Sequence, residues 1–137
     1  MKDISVVISS LLEEIEVLKK KSKGREVELP TAEFVLKMLG VLNKIPNNIL
    51  TPEITLEENG NCNLTWNSPY KYASVFVSFY KEVKKKKVGR FSYEISKENK
   101  VAINVYGDYG EFSEKVNSVD EILDIIVPVL DNRGFYK

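Results

Sequence analysis

Histidine is missing from this chain of 137 residues, and cysteine occurs once, as Cys62. The first absence removes Ser-His and Cys-His nucleophile pairs, imidazole metal ligands and the commonest base near neutral pH. The second removes internal disulfides and cysteine zinc clusters. It leaves Cys62, in an expected strand, as an inert thiol in a reducing compartment. No apolar run approaches the ~20 residues of a membrane helix. Neither GxxxxGK[ST] nor GxGxxG occurs, so phosphate-cradling loops are not expected. The nearest glycine pair, Gly107-Asp108-Tyr109-Gly110, has the make-up of a surface turn. Nor is there an excess of charge: 20 Lys plus Arg stand against 20 Asp plus Glu. A dedicated nucleic-acid binder usually carries a basic surplus.

What is present suits one ordinary globular domain spanning residues 1–137, with 43% hydrophobic and 29% charged residues. Met1-Lys2-Asp3, with Glu13, Glu14 and Glu16 following, lacks the composition of a secretory signal, and a cytoplasmic location is expected. Ile4, Ile8, Leu11, Ile15 and Leu18 recur at helical spacing and predict a helix over 3–20, capped by Asp3. That helix either docks on the domain or serves as an arm. Thr31 is positioned to cap a second helix, which Pro46 ends.

Residues 52–106 carry the strand signals. Ile54-Thr55-Leu56 and Cys62–Trp66 flank Glu58-Asn59-Gly60-Asn61, a hairpin turn with Asn-Gly at its centre. Asn67-Ser68-Pro69 then breaks the pattern. A third strand from about Tyr72 to Glu82 places Ala73, Val75, Val77 and Phe79 on one face and Phe76, Ser78 and Tyr80 on the other. Lys84–Lys87 forms a loop or a strand extension. Strands over 90–95 and 101–106 follow, with Glu98-Asn99-Lys100 as the turn between them, and Glu111–Val116 adds a short last piece. Ser118-Val119-Asp120-Glu121 is a capping box opening a third helix, kinked at Pro128 and ended by Gly134. The fold expected is α+β: two N-terminal helices, an antiparallel meander of about five strands, and a C-terminal helix packed on the sheet.

Pro52–Trp66, with Thr31-Ala32-Glu33-Phe34 before it, resembles a pattern of small uncharacterised bacterial and mobile-element proteins: helix, proline, isoleucine strand, Asn-Gly turn, Leu-x-Trp strand. In general type the chain is similar to small phage- or plasmid-encoded inhibitors, which lack catalytic apparatus and block another protein.

The leading expectation is therefore a non-catalytic protein-binding module, an inhibitor of a host defence or toxin system in that resemblance, without cofactor or metal. If the helices cover one sheet face, Phe76, Tyr80 and Tyr106 on the other form a contact surface, with Asp108, Tyr109 and Glu111 as an acidic complement for a basic partner. A homodimer is compatible with the same surface. The alternative is nucleic-acid binding through two lysine clusters, one over 19–25 and one of Lys84, Lys85, Lys86, Lys87 and Arg90 with Lys81, the strand aromatics Phe76, Tyr80, Phe91 and Tyr93 lying near the second. Against it, lysines at a hairpin tip can simply blunt an edge while the aromatics fill the core. A third reading is a small carboxylate-dependent enzyme using Glu57 with Glu58, or Asp108 with Glu111.

Overall fold

A computed structural model of the chain describes residues 4–68, 73–107 and 110–137. Three helices, α1 (Ile4–Lys21), α2 (Ala32–Lys44) and α3 (Val119–Asn132), accompany five strands: β1 (Glu53–Leu56), β2 (Cys62–Ser68), β3 (Ala73–Val88), β4 (Phe91–Tyr106) and β5 (Phe112–Val116). The strands form one antiparallel meander in the order β1-β2-β3-β4-β5. The α+β architecture expected from the sequence is the one found.

Alternation decides which face is covered. Leu64, Trp66, Val75, Val77, Phe79, Val101, Ile103 and Val105 point to one side and are buried with Phe34, Met38 and Val41 of α2 and Ile122, Ile126 and Leu130 of α3. Residues between them, among them Thr65, Phe76, Ser78, Ala102 and Asn104, are only half-buried, because no described helix lies over that side. α1 docks on its own chain, through Leu11, Ile15 and Leu18 against β1 and α2.

Local chemistry sets the helix ends. Thr31 accepts a hydrogen bond from the Phe34 amide at 3.3 Å, and extended backbone at Ile45 stops α2 before Pro46. The Asp3 cap lies outside the described residues. α3 starts at Ser118, whose hydroxyl accepts from the Glu121 amide at 3.2 Å and donates to the Glu121 carboxylate at 3.4 Å. The expected capping box is thus closed on the hydroxyl. α3 continues through Pro128 to Asn132. There Gly134, at φ +71°, turns the chain so that its amide reaches Asp131 and the Phe135 amide reaches Leu130. Replacing Ser118 with alanine is expected to cost about 1 kcal/mol in urea unfolding, by orphaning the Glu121 amide.

Three local expectations are corrected. At the first hairpin only Gly60 has positive φ (+86°); Asn59 does not, so the turn is not the mirror-image type with both central residues left-handed. β2 continues through Asn67 and Ser68, which pair with Ser74 and Ala73. Most consequential, Glu98-Asn99-Lys100 is no turn: Asn99 pairs with Lys81 inside one 16-residue β4, and the last strand is β5. The tripeptide lies where β4 passes from its buried half, Val101–Val105, into the water-exposed ribbon, so its polar residues mark the edge of the core and not a reversal of the chain.

Candidate functional site

β2 stops pairing with β3 at Phe79, and β5 stops pairing with β4 at Val101. Beyond those positions, among the described residues, β3 and β4 pair only with each other, from Tyr80↔Lys100 to Val88↔Phe91. The result is a two-stranded ribbon extending past the sheet by about 25 Å, at ~3.3 Å per residue. Gly89, at φ +59°, makes its tip. Between Lys84 and Lys85 the register slips, leaving Ile95 unopposed in a bulge that ends the simple alternation expected for Phe91, Tyr93 and Ile95.

The ribbon is chemically distinct from the body. Residues 81–100 hold eight Lys or Arg against three Glu, an excess of +5, which leaves the remainder of the chain at −5. Among the described residues, Lys84, Lys85, Lys86, Lys87 and Arg90 form no ion pair within 4.0 Å. Beside them Phe91, Ile95, Tyr93 and Val88 are 69%, 62%, 56% and 52% exposed. The lysines do sit near a hairpin tip, but Phe91 and Tyr93 are not core. Cross-strand pairing sets Lys86 opposite Tyr93 and Val88 opposite Phe91.

The root of the ribbon is fastened. Lys81 pairs with Glu28 at 2.8 Å, its amide donates to Asn61 at 3.1 Å, and Asn99 donates to Glu33 at 2.6 Å. Lys37 joins Glu33 at 3.1 Å, and Lys100 meets Glu98 at 3.0 Å. The hydrogen bond from Lys81 holds the Glu28 carboxyl below its usual range; that from Asn99, then Lys37, does so for Glu33. Lys100 lowers Glu98 in the same way and is itself raised. Each carboxyl binds its proton less readily folded than unfolded. This stabilisation is complete above the ordinary value of 4.5 and is lost as pH falls through the folded value. Urea unfolding across the acid range is therefore expected to show a shallower loss of stability for the double variant Glu28→Gln, Glu33→Gln than for the parent.

The other expected residues are distributed as follows. Phe76 and Tyr106 meet on the open sheet face with ring centroids 5.7 Å apart, edge to face. Tyr80, opposite Lys100, lies on the same face toward the ribbon. Glu111 is exposed just before β5, while Asp108 and Tyr109 lie outside the described residues. Buried Arg133 donates to the Gly110 carbonyl at 3.1 Å, fixing the β4–β5 connection to α3. Of the second lysine cluster, Lys19 pairs with Glu16 and Arg25 with Glu58. The latter contact also occupies one member of the Glu57–Glu58 pair.

A cleft of about 510 Å³ opens between α1 and β1, with Glu13, Glu14, Glu53 and Lys21 at its walls. Among the described residues no three metal-ligating side chains gather, and no helix is long and apolar enough to cross a membrane. Cys62 is buried, and desolvation pushes its thiol up to about 12, so it offers no thiolate near neutral pH.

Phe91 and Tyr93 were expected near a contact surface only in the nucleic-acid alternative, and Val88 and Ile95 in neither reading. Their signal was β-branched and aromatic residues alternating with charges where neither strand face had a core to fill. No family model, curated protein or solved structure matches the chain.

Proposed function

We propose that this protein is a non-catalytic binding module whose contact element is the β3–β4 ribbon, backed by the adjoining open sheet face. One observation carries the reading: five large apolar side chains, Val83, Val88, Phe91, Tyr93 and Ile95, are held in water on a ribbon that contributes no core. Exposed apolar groups gathered in one place favour a partner, since scattered single ones are the ordinary case on a surface. Their neighbours are cations that form no ion pair among the described residues, a combination suited to a partner that is both acidic and able to contact rings. An inhibitor blocking a defence or toxin protein would work through this same element.

Total neutrality spoke for a protein partner when only the sequence was considered. The +5 ribbon on a −5 body removes that argument, because the charge a partner meets is local.

Site-specific photo-crosslinking tests the reading. A crosslinking residue at Phe91 or Tyr93 is expected to capture a partner in cells of the natural host, and one at Leu36, exposed on α2, is not. Equal capture at all three positions would refute it.

A further inference from the structure

We infer that the ribbon binds nucleic acid, its lysines meeting the phosphodiester backbone and its tip aromatics meeting bases; this rests on the ribbon being the contact element proposed above. Pairing and pleat distribute the cations. Lys84 and Lys86 leave one face, with Tyr93 opposite Lys86, while Lys85 and Lys87 leave the other, opposite Glu94 and Ser92. A flat acidic protein surface could engage only one of those faces. A groove or a flexible strand presents phosphates on more than one side of an inserted element, and a two-stranded ribbon fits a major groove about 12 Å wide.

The apolar residues favour the same class. Phe91 and Val88 form the last cross-strand pair before the tip, the position from which a ring can stack on an unpaired base or wedge a base step. No described ion pair competes for Lys84–Lys87 or Arg90. Fastening of the root by Glu28, Glu33 and Asn61 limits the ordering that binding would require.

Duplex and single strand share the backbone chemistry, and the test separates them. The full chain is titrated by fluorescence anisotropy against a short mixed-sequence DNA duplex, the same sequence as single-stranded DNA and as single-stranded RNA, and phosphatidylserine vesicles. If all five cations meet phosphates, affinity for duplex falls about 500-fold between about 50 and about 200 mM salt, and about 130-fold for a single strand. The variant Lys84→Gln, Lys85→Gln, Lys86→Gln, Lys87→Gln is expected to lose most of that salt dependence. Phe91→Ala with Tyr93→Ala is expected to weaken single-strand binding about five- to 150-fold, the worth of one stacked base. All six positions are exposed, so circular dichroism should be unchanged.

Silence toward all three oligonucleotides at about 50 mM salt, binding indifferent to the lysine variant, or binding to vesicles alone each overturns the inference. If Phe91 and Tyr93 crosslink to a protein while the oligonucleotides stay silent, the inference falls and the contact reading stands. If neither captures anything, both fall.

Discussion

Trp66→Ala is expected to lower stability by about 3–5 kcal/mol, as large-to-small changes at fully buried aromatic sites do. Trp66 is 1% exposed at the centre of β2, between β1 and β3, and its indole N–H donates to the Leu50 carbonyl at 2.8 Å. That bond ties the segment before β1 to the sheet. The Leu50 amide in turn donates to Phe135, and Lys137 to Asn48, so the C-terminal residues close against the same segment. Truncation opens a cavity and orphans a carbonyl together. For a domain whose total stability is about 5–15 kcal/mol, this is a large share. In urea the midpoint should fall by roughly 2 M with the slope unchanged, since m for a small protein is about 1–3 kcal/mol per M. Trp66→Phe keeps most of the volume and isolates the lost hydrogen bond, at about 1 kcal/mol. Phe91→Ala, the same kind of truncation on the ribbon, should stay within about 0.5 kcal/mol. A comparable loss there would show that the tip aromatics stabilise the fold.

That contrast explains what could be foreseen. Where buried residues alternate along a strand, the pattern was legible: Ala73, Val75, Val77 and Phe79 alternate because the core selects every second residue. Thr31, Ser118 and Gly134 were legible because caps are local chemistry, with donor and acceptor three to five residues apart. The ribbon was not. Beyond its fastened root its strands pair through the backbone with no core to fill, so side chains there obey no burial period, and Glu98-Asn99-Lys100 resembled the turn it does not make. The charge was hidden by cancellation, since a basic ribbon and an acidic body sum to zero. Pairing of Lys86 with Tyr93 depends on where the chain reverses, at Gly89, and on a bulge at Ile95 that no short-range motif announces.

Replacing residues 84–96 with Asn-Gly should separate folding from function. The graft joins Val83 to Lys97, which already face each other, by the two-residue connection that best suits antiparallel strands. It keeps Lys81–Glu28, Asn99–Glu33 and Lys100–Glu98, the contacts that fasten the root. It removes no buried side chain, because every residue from 84 to 95 is exposed and Ser96 is only half-buried. Loop closure changes little, at about 0.6 kcal/mol per doubling of length. The shortened chain is therefore expected to melt within a few degrees of the parent, while its affinity for whatever the ribbon contacts drops by about 100-fold or more, equivalent to ~3 kcal/mol. Unchanged affinity would move the contact surface to Phe76, Tyr80 and Tyr106 on the open sheet face. A shortened chain that fails to fold would mean the ribbon's backbone pairing supports the sheet, against the division between a stable body and an exposed binding element that the burial pattern draws.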